Sequence, residues 1–126
     1  MAFSRNATAE LIKPLEGAIV RRYTAGAAIA AGELVSMSSD GFIDPSDSTS
    51  AKNPVLGVAL QAAAAAGVRI DVVVYGPVVC LTDATVGGLI YNSTTAGEPS
   101  QTTAGNQTIA GLAESATVLF VRAALA

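Results

Sequence analysis

Ala28-Ile29-Ala30-Ala31-Gly32-Glu33-Leu34-Val35 is followed by Asp40-Gly41, then by Val55-Leu56-Gly57-Val58-Ala59, then by Val68-Arg69-Ile70-Asp71-Val72. The same order returns as Ala84-Thr85-Val86-Gly87-Gly88-Leu89-Ile90-Tyr91, Ala96-Gly97, Ile109-Ala110-Gly111-Leu112-Ala113 and Thr117-Val118-Leu119-Phe120-Val121. Gly32 and Gly41 match Gly88 and Gly97 at one constant offset, and Gly57 matches Gly111 at nearly the same one. Each copy runs from a small-residue turn through an apolar strand, a turn and a loop to an apolar-Gly-apolar strand and a final strand. Such a repeat decides the architecture before any single element does, and two copies are too few for a solenoid. The expectation is an all-β fold, a compact barrel or sandwich built from two degenerate repeats. Repeat one covers about 28–73 and repeat two about 84–122, within a single β-domain over 23–126.

The elements between the glycines follow from local chemistry. Leu34 to Met37 is a short apolar strand closed by the Ser39-Asp40-Gly41 turn, where Gly tolerates positive φ. Asp44 to Ser50 is a polar loop. Gly57, inside Val55 to Leu60, marks a bulge or a close backbone approach. Ala62 to Ala66 is the one stretch that reads as a helical turn, an insertion absent from repeat two and stopped by Gly67. Val68 to Tyr75 alternates, with Val68, Ile70, Val72 and Val74 on one face and Arg69 and Asp71 on the other. Its outward face then changes to Val73 and Tyr75, which makes these two the candidates for a subunit contact, with the strand near the C-terminus beside them. Gly76-Pro77 ends that strand, and Val78 to Leu81 forms another. Asn92 to Gln107 reads as a long loop with a hairpin around Ala96-Gly97.

Residues 1–22 fall outside the repeat and hold Arg5, Lys13, Arg21 and Arg22, four of the seven basic residues. Pro14, within Leu11-Ile12-Lys13-Pro14-Leu15, removes a ladder donor. The segment reads as an extended N-terminal arm, the alternative being a loose leader without a role.

Composition narrows the function. One domain is expected at 126 residues, large enough to fold without metal or disulfide. Charged residues make up 13%, against a usual value of about 25%, and Trp is absent. A small-residue, weakly charged surface suits a protein packed against its own copies or a large partner; an Ala-rich monomer is the alternative. Ten acidic against seven basic residues leave no nucleic-acid footprint. Neither a signal peptide nor a membrane span is legible. With no His, the familiar Ser-His-Asp and Cys-His nucleophile arrangements and His metal sites are absent. Cys80, alone between Val79 and Leu81, reads as a buried inert thiol. Asp40, Asp44 and Asp47 are better explained as solvated loop carboxylates than as a Ca²⁺ site. The N-x-[ST] triplets at Asn6, Asn92 and Asn106 are expected by chance in Thr-rich loops. No catalytic residue, cofactor site or metal site is assigned, so the protein is expected not to be an enzyme.

Ala30-Ala31-Gly32-Glu33-Leu34-Val35 with Asp40-Gly41, Val55 to Leu60, and Val68 to Val72, followed by the second copy, resemble the small all-β decoration (cement) proteins of tailed bacteriophage capsids. The resemblance covers about residue 23 to the C-terminus. It implies a non-enzymatic homotrimer on the outer surface of the phage head, at threefold positions, holding neighbouring major capsid protein subunits together against internal DNA pressure. Partners would be further copies of the chain and the major capsid protein, with no nucleic acid and no membrane. Arg5, Leu11, Ile12, Lys13, Arg21 and Arg22 of the arm become candidate capsid contacts, the arm adding a strand to a sheet edge of the shell. Other readings are a head fibre base or tail-tube subunit, and a small-ligand or glycan-binding β-domain. The scattered Tyr23, Tyr75 and Tyr91 fit the ligand reading poorly.

Overall fold

A computed structural model describes residues 3–48, 54–102 and 107–122. Its strands are β1 (Ser4–Arg5), β2 (Lys13–Pro14), β3 (Ile19–Thr24), β4 (Leu34–Met37), β5 (Ile43–Pro45), β6 (Val55–Ala59), β7 (Arg69–Val79), β8 (Leu81–Thr82), β9 (Leu89–Asn92), β10 (Pro99–Ser100), β11 (Ile109–Ala113) and β12 (Val118–Val121). A single 3-10 turn, Ala9–Leu11, accompanies them among the described residues. The chain is all-β, and its main sheet curls into a half-barrel. Residues 49–53, the first two of them the end of the polar loop, and residues 103–106 of the second loop, Asn106 included, lie outside the described residues.

The sheet order is β10-β9-β11-β12-β7-β6-β4-β5, with every neighbouring pair antiparallel. Read outward from the centre, β7-β6-β4-β5 and β12-β11-β9-β10 have the same connectivity. Equivalent backbone bonds hold both halves. Gly32 N–H donates to Ala59 O at 2.7 Å and Ala59 N–H to Glu33 O at 2.9 Å; Gly87 N–H donates to Ala113 O at 2.8 Å and Ala113 N–H to Gly88 O at 2.9 Å. The counterpart of Gly32 is therefore Gly87, one residue short of the offset read in the sequence. Each is the third residue of a turn, Ala30–Glu33 or Thr85–Gly88, and each has positive φ, 88° and 82°.

Gly57 and Gly111 share a second requirement. A Cβ on Gly57 would lie 2.0 Å from the Val73 carbonyl oxygen, and one on Gly111 would lie 1.9 Å from that of Phe120. In each half the apolar-Gly-apolar strand passes so close to its neighbour that no side chain fits.

Adjacent residues of β4, β6 and β7 serve opposite faces. Leu34, Val58 and Val73 join one core cluster with Val78, Ile90 and Leu119; Val35, Ala59 and Val72 join another with Ile29, Ile43 and Ile70. Burial on both faces explains the near-continuous apolar runs of the first repeat. Ala62 to Ala66 helps cover the second cluster but is not helical. Ala63 and Ile29 exchange N–H···O bonds of 2.8 and 2.9 Å, a bridge that satisfies backbone groups five residues could not satisfy as an isolated helix.

The ends of the sheet are drawn together. Leu34 N–H donates to Gly97 O (3.0 Å), Gly97 N–H to Ser46 O (2.8 Å) and Ser48 N–H to Ser93 O (2.8 Å). Beneath them, Ser36 Oγ donates to Ser46 Oγ at 2.7 Å and Asn92 Nδ2 to the same oxygen at 3.1 Å. Asn92 is thus a buried structural amide rather than an open loop residue.

β7 runs unbroken through Gly76-Pro77, contrary to the expected stop. Gly76 takes φ 104° beside Ala18, and the Pro77 carbonyl accepts the Leu15 N–H at 3.0 Å. β7 also carries a bulge: Val20 pairs with Val73 and Ile19 with Tyr75, leaving Val74 unpaired. A bulge shifts the side-chain phase by one residue. Val73, before the bulge, is fully buried in the first core cluster opposite Val72, and the shift brings Tyr75, after it, to the other side, where it is exposed. The two do not share an outward face, and Val73 is withdrawn from the surface open to a second subunit.

Residues 4–24, expected as an extended arm ending at residue 22, lie on the body. β1 pairs with β8, β2 and β3 pair with β7, and position 22 falls inside β3. Since β6 and β12 occupy one edge of β7, β2 and β3 take the other. Pro14 is tolerated there because its strand is outermost.

Candidate interaction surface

The first part of the N-terminal segment is a strap with two anchors. Arg5 Nε donates to Glu98 Oε2 at 2.7 Å, and an Arg5 Nη donates to the Ala31 carbonyl at 3.0 Å. Ile12 is buried in the first core cluster, against the face of Gly32 where a Cβ would touch it. Phe3 packs on the same cluster. Of the expected capsid contacts, Arg5 and Ile12 are therefore engaged within the chain, while Leu11, Lys13, Arg21 and Arg22 are exposed.

Beside Arg5 lies Glu33, whose Oε1 accepts the Ala30 N–H at 2.9 Å. Burial raises the Glu33 carboxyl above its ordinary value of 4.5; the Ala30 N–H and Arg5 oppose this, and Glu98 adds to it. Because the folded-state value is the higher one, stability is full below the unfolded value and is lost as pH rises through the folded one. Glu33→Gln keeps the acceptor and loses the charge. It is expected to raise the melting temperature at pH 7 and to leave it unchanged at pH 3, checked by melts at both pH values.

The second part is β3, a strand at the rim. Its first four residues are exposed on both faces. Ile19, at 53% exposure, stands beside Tyr75 at 44%. Val20 is also exposed, Arg21 lies 6.0 Å over the Tyr23 ring, and Arg22 pairs across the strand with Asp71 at 3.1 Å. These β-branched residues are ones a strand normally half-buries.

Tyr75 connects the rim to an apolar groove of about 540 Å³ lined by Met37, Pro54, Leu56, Val74, Tyr75 and Arg122. Tyr75 meets Phe120 edge-on, ring centroids 5.3 Å apart. Sequence reading singled out Tyr75 but not Ile19, Val20 or the groove. Its residues come from β4, β6 and β7 and the end of β12, and only the curl of the sheet assembles them.

The reactive side chains near these surfaces have structural partners. Burial pushes the Cys80 thiol up to about 12, so it is not a nucleophile in the folded chain. Asp44 accepts from Ser38 Oγ and Asp40 from the Phe42 N–H, as turn carboxylates do. Among the described residues no group of three metal-ligating side chains converges, and no helix is long and apolar enough to cross a membrane.

The sequence model of the phage cement protein family matches residues 5–75, more than half of the chain. The match begins in β1 and ends in β7, so it includes the strap and the rim strand together with the first repeat. No curated protein matches the chain.

Proposed function

We propose a specific role for this chain, which belongs to the phage cement protein family and so is a structural protein of the phage capsid: it binds the outer surface of the head as a homotrimer and stabilises the shell. The observation that carries this reading is the open rim beside the apolar groove. A half-barrel with a full core of its own leaves Ile19, Val20, Tyr75 and the groove uncovered, a surface suited to packing rather than to chemistry. The shell contact is proposed for the exposed strap residues Leu11 and Lys13. Arg5 and Ile12 hold the strap in place and serve that contact indirectly.

The mechanism is mass action. A protein that binds the expanded shell better than the procapsid or the disrupted shell shifts the equilibrium toward the intact form. Three subunits that engage together multiply a weak single contact, by roughly 10²–10⁴ where geometry allows. Co-sedimentation of the purified protein with expanded heads and with procapsids tests this. Saturable binding to expanded heads and weaker binding to procapsids is expected. Equal binding to both would contradict the mechanism, and binding to neither would contradict the function.

A further inference from the structure

We infer that the outer edge and exposed faces of β3 form the contact between copies of this chain, the rim of one subunit seating on the body of the next. This rests on the homotrimer reading above and names its interface. Three observations carry it. The first is the open edge: β3 pairs only with β7, and among the described residues no strand lies on its other side. Such an edge is a template for further pairing, and proteins normally blunt it with a covering element, a short strand, a proline, charged side chains or a bulge. β3 is six residues long, carries no proline and is uncovered; its arginines and the bulge opposite Ile19 and Val20 blunt it only in part, and the apolar Ile19 and Val20 remain open.

The second is the side chains. Ile19 and Val20 are exposed, and Ile19 stands against exposed Tyr75, so the rim presents apolar surface continuous with the groove. Arg21 extends the patch, stacked on Tyr23. Aromatic residues and Arg are enriched at protein interfaces.

The third is charge. Residues 1–24 hold four bases and two acids, while residues 25–126 hold three bases and eight acids. β3 itself carries Arg21 and Arg22 and no acid; Arg22 is paired with Asp71 of its own chain, so Arg21 is the base that the rim presents to the acidic remainder of another copy. Two identical surfaces of one sign repel when brought face to face, whereas a basic rim against the acidic body of the next copy attracts. This is the heterologous arrangement that a closed ring requires. Arg21, first expected to face the shell, is thereby assigned to contact between subunits, while Arg22 stays with Asp71.

The test is the mass of the full chain in solution by light scattering at low and high salt, for the natural protein, the double variant Ile19→Asp/Val20→Asp, and Arg21→Glu, with circular dichroism reporting the fold. The natural protein is expected at three times the chain mass and to dissociate more readily at high salt. The double variant is expected as a monomer. Arg21→Glu, which leaves the apolar contacts and the ladder intact, is expected to associate at least tenfold more weakly at low salt and to lose the salt dependence. If the double variant does not fold, Arg21→Glu alone decides. Folded variants that remain trimers would overturn the inference while the trimer reading stands; if they also stop binding heads, the rim faces the shell instead. A monomeric natural protein would overturn the trimer reading, and this interface with it.

Discussion

Gly57→Ala and Gly111→Ala are each expected to cost about 4 kcal/mol or more, at the upper limit of what single substitutions do. A methyl group at either site would clash with a backbone oxygen, 2.0 Å from Val73 O or 1.9 Å from Phe120 O. No rotamer change relieves this, because the obstacle is the main chain of the adjacent strand. The strands must separate, and the ladders on which each half depends separate with them. For a chain of this size the melting temperature should fall by about 15 °C. Gly41→Ala is the natural comparison. Gly41 has φ 85° but nothing within 4 Å of a Cβ, so it carries only the left-handed backbone penalty, about 1 kcal/mol. Thermal melts of the three variants separate the two causes. Gly57 and Gly111 variants that melt within a few degrees of Gly41→Ala would contradict the close crossing.

Deletion of residues 1–14 is the second large effect. A loose leader could be removed without consequence. Here the deletion takes away Ile12, buried in the main core cluster, Phe3 beside it, the β1–β8 and β2–β7 ladders, and the Arg5–Glu98 ion pair. Exposing the site of a buried Ile costs about 1.5–3 kcal/mol, and with the Phe3 contact the loss should reach about 4 kcal/mol. It also leaves Glu33 near Glu98 without the guanidinium that moderates their repulsion. The truncated protein should therefore melt about 10–15 °C lower, and its stability should fall more steeply as pH rises above the ordinary carboxylate range. A melting curve unchanged by the deletion would show that the strap contributes nothing to the body.

The repeat made the all-β architecture legible because its markers are local. Turns at Gly32 and Gly87 need positive φ, and the close crossings at Gly57 and Gly111 admit only glycine, so the pattern survives low identity. The bulge at Val74 left no such mark. It sits at the end of Val72-Val73-Val74, and it puts Val73 and Tyr75, which plain alternation would place together, on opposite sides. The docked strap was hidden for a related reason. Its ladders are two to six residues long, interrupted by Pro14 and by the turn at Gly17, too short to show a period. Tyr75 was legible as outward-facing only together with Val73, by an alternation that the bulge breaks between them. The groove beside it was not, since Met37, Leu56, Val74 and Arg122 meet only after the sheet has curled.

The proposed role of this capsid protein is to strengthen the head. It is tested most directly by heating DNA-filled heads that lack the protein, with and without the purified chain added back, and recording the temperature at which DNA is released. A higher release temperature is expected with the protein bound, rising with its concentration until the sites are filled. An unchanged release temperature at saturating protein would contradict it.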